Sequence, residues 1–129
     1  MTSRAAAWSR WLVVFLAAGA IYWCSDRPVP GAVALPIPQG DKLLHLVAYA
    51  VFAALVFRAL QGGEPRPAAA GVLVLGAALA TAYGVSDEFH QLRVPGREFS
   101  VLDMLADGAG ATLAVLVWPP LTRRFARLR

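Results

Sequence analysis

The sequence has little charge and almost no cysteine. Only 16% of its 129 residues are charged, whereas 58% are hydrophobic. So few charges in a chain of this size are not typical of a soluble domain, and no polar stretch is long enough to form a separate aqueous one. The single cysteine, Cys24, excludes an intramolecular disulfide. The composition therefore predicts one integral membrane domain over residues 1–129.

Short motifs of the common enzyme classes are absent as well. The sequence contains no His-Glu-x-x-His or Cys-x-x-Cys metal motif, no glycine-rich phosphate loop and no Gly-x-Ser-x-Gly nucleophile elbow. Its formal net charge of +4 does not indicate nucleic-acid binding, because the basic residues lie near the termini and near the ends of apolar segments. We therefore expect membrane lipid around the chain and no nucleic-acid partner.

Four segments are apolar enough to cross a bilayer. A transmembrane helix needs about 20 mainly apolar residues, and the segments at about residues 8–24, 42–60, 68–90 and 100–121 meet or approach that length. Prolines and glycines separate them: Pro28, Pro30, Pro36 and Pro38, then Gly62, Gly63, Pro65 and Pro67, and finally Pro95 and Gly96. We expect Pro95-Gly96 to form the turn between the last two segments and Ser100 to cap the amino end of the fourth. The expected fold is an all-α bundle of four transmembrane helices.

The first segment has a second interpretation, as a signal peptide. Arg4 and Arg10 precede its apolar run, and Ala18-Gly19-Ala20 resembles a cleavage site. If the segment is instead a spanning helix, the number of spans is even. Both ends of the chain then lie on the same side of the membrane.

The basic residues predict which side that is. One set of segment ends carries Arg4, Arg10, Arg58, Arg66, Arg123, Arg124, Arg127 and Arg129, and the opposite set has only Arg27, Lys42, Arg93 and Arg97. Short loops rich in lysine and arginine stay in the cytoplasm. We therefore expect both termini and the second loop inside, and the first and third loops outside.

Polar residues gather at the outer ends of the predicted helices. Asp41, His45 and Tyr49 follow an i, i+4, i+8 spacing, which places them along one side of the second helix. The third helix ends and the fourth begins with polar residues, so these reach the same membrane face although they are distant in sequence. The expected polar site comprises Asp41, Lys42, His45, Tyr49, Asp87, Glu88, His90, Gln91, Arg97, Asp103 and Asp107.

Asp107 is the deepest member of this expected site. It follows Ser100 by seven positions, or roughly 10 Å along a helix that rises about 1.5 Å per residue. An unpaired charge at that depth costs about 3 kcal/mol or more, so the carboxyl must be protonated, paired with a cation or open to water. Alternatively, Asp103 and Asp107 only hold neighbouring helices together through hydrogen bonds.

Two ordered motifs give the strongest functional indication. The first is Asp41-Lys42-Leu43-Leu44-His45, with Tyr49 one turn later. The second is Tyr-Gly-Val-Ser-Asp-Glu-Phe-His-Gln over residues 83–91, followed by Val-Pro-Gly-Arg at 94–97 and Phe-Ser-Val-Leu-Asp at 99–103. In this order they resemble the VanZ-like family of bacterial membrane proteins, over residues 41–117. Asp107 stands where many members have Asn, and the first segment has no family signature.

The resemblance implies a multi-pass protein of the bacterial inner (cytoplasmic) membrane with a role at the cell envelope. The member after which the family is named is associated with resistance to the glycopeptide antibiotic teicoplanin, and no established reaction comes with the resemblance. The implied partners are a cell-wall precursor or a glycopeptide-related ligand. Most relatives lie outside resistance clusters, so the resemblance does not carry antibiotic resistance to this chain.

An enzyme acting on a lipid-linked or cell-wall precursor is one hypothesis for the polar site. Its base would be His45 or His90, oriented by Asp41 or Asp87. The candidate catalytic residues are Asp87, Glu88, His90, His45 and Asp103, and the candidate binding residues are Asp41, Lys42, Tyr49, Gln91, Arg97 and Asp107. Each histidine could instead tie two helix ends together through a hydrogen bond.

A divalent metal is compatible with the same residues, although no cofactor is identified. Asp87, Glu88, His90 and Asp103 could supply an oxygen-rich site with one nitrogen ligand.

The alternatives to an enzyme are a receptor or accessory protein that binds an envelope ligand, and a small ion- or proton-coupled transporter. Four short helices leave little room for alternating access, so a transporter would need an oligomer.

Overall fold

The computed structural model describes residues 3–27, 40–62 and 67–126, which form four α-helices and, within these ranges, no β-strand. The helices are α1 (Ser3–Ser25), α2 (Gly40–Leu60), α3 (Ala70–Gln91) and α4 (Val101–Ala126). Each contains a stretch long and apolar enough to cross a membrane: Arg4–Ser25, Gly40–Leu60, Ala70–Gln91 and Val101–Pro120. The predicted all-α fold of four spanning helices is confirmed.

The helix bounds differ from the predicted ones mainly at two ends. Helix α1 begins five residues before the predicted start at residue 8, because the alanines at 5–7 are strong helix formers. Helix α4 continues past Pro120 to Ala126. Ala68 and Ala69, predicted as helical, precede α3 in extended conformation, with φ −66° and ψ 145° at Ala69.

Several residues used in the sequence interpretation lie outside the described ranges. They are the prolines at 28, 30, 36 and 38, Gly63, Pro65, and three of the arginines that predict the orientation, Arg66, Arg127 and Arg129. The placement of both termini in the cytoplasm therefore stays a prediction.

Helix α2 occupies the centre of the bundle. It packs against the other three helices, and its interface with α4 is the largest. Helix α1 contacts α2 and α3, but among the described residues it does not contact α4. The three helices that carry the predicted polar residues thus form the compact part of the bundle, and α1 lies at its side.

The core is built mainly from the inner face of α2. Its buried apolar residues are Tyr49, Phe52, Ala53, Val56, Phe57 and Ala59, which meet Ala80 of α3, Ala111 and Val115 of α4 and Val14 of α1. Many large apolar side chains point outwards instead, among them Trp8, Phe15 and Leu105, each more than 60% exposed. These outward positions suit contact with lipid.

Close approach of the helices depends on two glycines. A Cβ atom at Gly110 of α4 would overlap the carbonyl oxygen of Leu46 in α2 and lie 3.2 Å from the backbone nitrogen of Ala50. A Cβ atom at Gly84 of α3 would lie 2.5 Å from Oδ2 of Asp107 in α4. Small residues of this kind let the backbones of membrane helices come into contact.

The connection between α3 and α4 is short and well defined. Gly96 has a φ of 80°, and the Arg97 N–H donates to the Val94 carbonyl over 3.1 Å, as in a type II turn with Pro95 and Gly96 at its centre. Ser100 then caps α4, because its Oγ accepts a hydrogen bond from the Asp103 N–H over 3.2 Å. Both roles confirm the sequence predictions, and both fix how α4 leaves the polar end of the bundle.

The Gly110 contact leads to a stability prediction. We expect Gly110→Ala to destabilise the folded protein by about 1–3 kcal/mol, because α2 and α4 must separate at Leu46 to accept the methyl group. The measurement is the midpoint of thermal denaturation of the detergent-solubilised protein. Gly19→Ala is the matched control, since a Cβ there meets no atom within 4 Å. A Gly110→Ala midpoint equal to that of the wild type would show that the two helices do not approach this closely.

Candidate functional site

Four helix ends meet at one end of the bundle and bring most of the acidic residues together. The carboxyl ends of α1 and α3 lie beside the amino ends of α2 and α4. Seven of the eight acidic residues of the chain belong to this end: Asp26, Asp41, Asp87, Glu88, Glu98, Asp103 and Asp107. The predicted gathering of polar residues is therefore present, but the structure divides it into two groups.

The inner cluster consists of His45, Glu88 and Asp107, one residue from each of α2, α3 and α4. Nδ1 of His45 lies 3.0 Å from Oδ1 of Asp107 and 4.0 Å from Oε1 of Glu88. The two carboxylate side chains have no exposed surface, and the imidazole is 13% exposed. A histidine paired with two buried acids between membrane helices is the most unusual chemical feature of the described chain.

Each carboxylate of the inner cluster has one oxygen fixed and one without a hydrogen-bond partner. Oε2 of Glu88 accepts the Ser100 N–H over 2.8 Å, whereas its Oε1 has no hydrogen-bond donor. Oδ1 of Asp107 faces His45, whereas its Oδ2 lies against Gly84 and also has no donor. Two acceptors are therefore buried without donors within one small space, and such groups are rare and costly in folded proteins.

Lys42 and two further aspartates lie between the inner cluster and the end of the bundle. Nζ of Lys42 contacts Oδ1 of Asp103 at 2.8 Å and also pairs with Asp41. Exposure of the side chains falls along the polar side of α2, from 56% at Asp41 through 23% at Lys42 to 13% at His45. The sequence spacing predicted a stripe of Asp41, His45 and Tyr49 on this side of α2, and Lys42 was not part of it. In the structure the side chains become less exposed from the end of the bundle towards the buried acids.

Tyr49 closes the inner side of the cluster. Its ring lies nearly parallel to that of His45, with centroids 6.3 Å apart, and packs edge-on against Phe52. The residue is 1% exposed, and its hydroxyl has no hydrogen-bond partner among the described residues. Below it, Ala53 and Val56 continue the core with apolar side chains. The polar region on this face of α2 ends at Tyr49.

The outer cluster consists of Ser25, Asp26, Asp87, His90 and Gln91 and joins the end of α1 to α3. Three of these residues, Asp87, His90 and Gln91, were expected in the polar site. Oδ2 of Asp87 accepts hydrogen bonds from the Ser25 hydroxyl over 2.6 Å and from the Gln91 amide over 3.2 Å. Nε2 of His90 lies 3.1 Å from Oδ1 of Asp26. Polar residues that satisfy one another in this way hold neighbouring membrane helices together. These residues therefore attach α1 to the rest of the bundle.

Arg97 also belongs to the attachment of α1. Its guanidinium donates to the carbonyl oxygens of Cys24 and Arg27 over 3.2 and 3.1 Å. Basic side chains commonly satisfy the free carbonyls at the end of a helix in this manner. The structure therefore places Arg97 on the end of α1 and not beside the inner cluster.

The expected pairing of histidines with acids differs from the observed one. His45 is oriented by Asp107, not by Asp41, because position 107 lies one turn below Asp103 and faces α2 at the depth of His45. His90 pairs with Asp26, not with Asp87, whose carboxylate is occupied by Ser25 and Gln91. His90 thus has the helix-tying role that was the alternative for either histidine.

The expected metal ligands are also regrouped. Of Asp87, Glu88, His90 and Asp103, only Glu88 belongs to the cluster whose ligand atoms lie within 4.8 Å of one another. Asp87 and Glu88 are consecutive on a helix and therefore point about 100° apart, so that one faces α1 and the other faces α2 and α4.

Sequence reasoning missed Ser25 and Asp26 as functional neighbours. Both directly follow the apolar run of the first segment, and that position at the same membrane end was the available signal.

A separate cavity lies at the opposite end of the bundle. It has a volume of about 210 Å³ and is lined by residues that include Pro67, Leu73, Val115 and Pro120. No lining residue is titratable. The chemistry of the described chain is therefore concentrated in the inner cluster and not in this cavity.

Comparison with known proteins identifies one family. The family model described as VanZ/LLP1 matches residues 3–123. No curated protein and no solved structure matches the chain. The match is longer than the 41–117 covered by the two motifs and includes α1, which the motifs left without a signature.

Proposed function

The chain belongs to the VanZ/LLP1 family, and on this premise we propose that it is a cell-envelope protein of the bacterial inner membrane. Its inner cluster binds the headgroup of a lipid-linked or cell-wall precursor at the outer membrane face. His45 then acts as a general base that accepts a proton from this ligand. The observation that carries the proposal is the buried pairing of His45 with Asp107, reached from the bundle end along Asp41 and Lys42.

The pairing leaves one imidazole nitrogen for the ligand. When His45 donates its Nδ1 proton to Oδ1 of Asp107, Nε2 retains the lone pair that accepts a proton. Asp107 then stabilises the imidazolium that forms, in the manner of the aspartate in a catalytic triad. This arrangement supports general acid–base chemistry better than simple attachment of helices, for which a neutral hydrogen bond would serve.

Access from the bundle end suits a ligand whose polar headgroup enters while its lipid chain stays in the bilayer. The carboxylates of Asp103 and Glu88 accept hydrogen bonds from the hydroxyl groups of such a headgroup. The outward-facing apolar side chains of α4, such as Leu102 and Leu105, are 55% and 62% exposed and line the neighbouring lipid-facing surface. A lipid-linked precursor combines the two properties that this end of the bundle presents.

Transport through one chain is less well supported. The core of α2 beyond Tyr49 consists of Phe52, Ala53 and Val56, each at most 5% exposed. The close contact at Gly110 leaves no space between α2 and α4 at that depth. A polar path from the inner cluster to the opposite membrane face is therefore absent from this part of the described chain.

The proposed orientation can be tested by cysteine labelling. In a Cys24→Ser background, Glu98→Cys and Pro67→Cys each place one exposed thiol at opposite ends of the bundle. We expect a membrane-impermeant maleimide to label Glu98→Cys in intact spheroplasts and Pro67→Cys only after permeabilisation, because the positive-inside rule puts the α3–α4 connection outside. The reverse pattern would place the inner cluster at the cytoplasmic face and contradict the proposed site of action.

The proposed activity can be tested with His45→Gln, Asp107→Asn and the control Glu98→Gln in a strain that lacks the native gene. We expect the two inner-cluster variants to leave the pool of lipid-linked precursors as in the deletion strain, because removal of a general base or its partner costs about 10²–10⁴-fold in rate. The measurement is mass spectrometry of extracted lipids, after membrane abundance is shown to be normal. Glu98 is exposed on the loop, so its variant should restore the wild-type pool.

Two results would contradict the proposal. A wild-type precursor pool in both inner-cluster variants at normal abundance would show that the cluster has no part in the function. Restoration by Asp107→Asn but not by His45→Gln would favour the receptor alternative, because the amide keeps the shape and the acceptor oxygen but not the charge.

Susceptibility to teicoplanin, measured on the same strains, tests the link to glycopeptides that the family resemblance suggested.

A further inference from the structure

We infer that His45, Glu88 and Asp107 bind one divalent first-row transition metal ion of the Zn²⁺ class. The three residues supply one imidazole nitrogen and two carboxylate groups from three different helices, and the ligand atoms lie within 4.8 Å of one another. Two ligands of a tetrahedral ion bound at about 2.1 Å are separated by roughly 3.4 Å. The distances of 3.0 and 4.0 Å from His45 Nδ1 lie on either side of this value.

Charge is the first reason to expect a cation here. Glu88 and Asp107 have no exposed surface, and the neighbouring cation Lys42 is already paired with Asp41 and Asp103. A protonated His45 would supply one positive charge for two carboxylates. A divalent ion would neutralise both carboxylates and leave the imidazole neutral, which is the form that ligates metals.

The hydrogen-bond pattern is the second and independent reason. Glu88 Oε1 and Asp107 Oδ2 are buried and receive no hydrogen bond among the described residues. The other oxygen of Glu88, Oε2, accepts a hydrogen bond from the Ser100 N–H. Carboxylates that bind metals are usually oriented by a hydrogen bond of this kind to the oxygen that does not face the ion. Gly84 leaves the space that Oδ2 of Asp107 occupies, since a Cβ there would lie 2.5 Å from it.

The donor set indicates which kind of metal suits the site. A site built only from oxygen ligands favours Mg²⁺ or Ca²⁺, whereas an imidazole beside carboxylates suits Zn²⁺ and its neighbours. Three protein ligands leave at least one coordination position for water or a ligand, as in catalytic zinc sites. If the proposed function holds, an ion at this site would replace the proton that His45 Nδ1 shares with Asp107. A water on the ion would then be the base in place of His45, and the ion would accept the phosphate of a lipid-linked headgroup.

The test uses the purified full-length protein without a histidine tag, treated with a chelator and titrated with Zn²⁺ alone by calorimetry. We expect about one Zn²⁺ per chain, and affinity at least about tenfold lower for His45→Gln, Glu88→Gln and Asp107→Asn. The matched controls are His90→Gln and Asp87→Asn, which have the same residue types at the same bundle end but belong to the outer cluster. Both controls should bind Zn²⁺ as the wild type does.

Failure of the wild type to bind Zn²⁺ would overturn the inference without recourse to any variant, so the test does not depend on how well the inner-cluster variants fold. Equal loss in the outer-cluster controls would also overturn it, because the metal would then not be held by the inner cluster. No precursor is present in this titration. Its outcome is therefore independent of the precursor profiles: Zn²⁺ binding with unchanged precursors would refute only the proposed function.

Discussion

Two carboxylates, Glu88 and Asp107, are buried between the membrane helices, and their need for partners determines how α2, α3 and α4 pack at this end of the bundle. A buried charge that loses its partner costs about 3–5 kcal/mol, so the carboxylates of Glu88 and Asp107 each need a partner within the bundle. The structure supplies His45 to one carboxylate and the Ser100 N–H to the other, and it keeps Gly84 free of a side chain beside Asp107. The geometry of α2, α3 and α4 at this end follows from these few contacts.

The same constraint explains why the bundle has a compact part and an attached helix. Helices α2, α3 and α4 each contribute one residue to the inner cluster, and Gly110 brings the backbones of α2 and α4 into contact one turn deeper than Asp107. Helix α1 contributes nothing to that cluster and is held instead by Asp87, His90 and Arg97 through the outer cluster. Residues that were expected to form one site therefore belong to two clusters. The inner cluster carries the candidate chemistry, and the outer cluster attaches α1.

Local patterns were predictable from the sequence because they depend only on spacing along one helix or one turn. The four spans, the stripe of Asp41, His45 and Tyr49, the turn at Pro95-Gly96 and the cap at Ser100 all follow from such spacing, and the structure confirms them. The partners across helices could not be predicted in this way. Whether Asp87 or Glu88 faces the inner cluster depends on the rotation of α3 about its axis, which packing against three neighbours determines.

Helix α1 shows a second limit of sequence reasoning. Its apolar run also fits a signal peptide, and it has no family motif of its own. Its relation to the bundle became clear only from buried contacts such as that of Ser25 with Asp87, and from a family match that begins at residue 3. Both observations make α1 a part of the family domain.

The inner cluster, its chemistry and its proposed ligands all depend on the interaction between His45 and Asp107. A double-mutant cycle with His45→Gln and Asp107→Asn, read from thermal denaturation in detergent, measures that coupling most directly. We expect the double variant to be little less stable than the worse single variant, a coupling of about 1–3 kcal/mol, while Asp107→Asn and Glu98→Gln, the latter at an exposed loop position, combine additively within about 0.5 kcal/mol. Additive effects of His45→Gln and Asp107→Asn would show that the two side chains are not coupled.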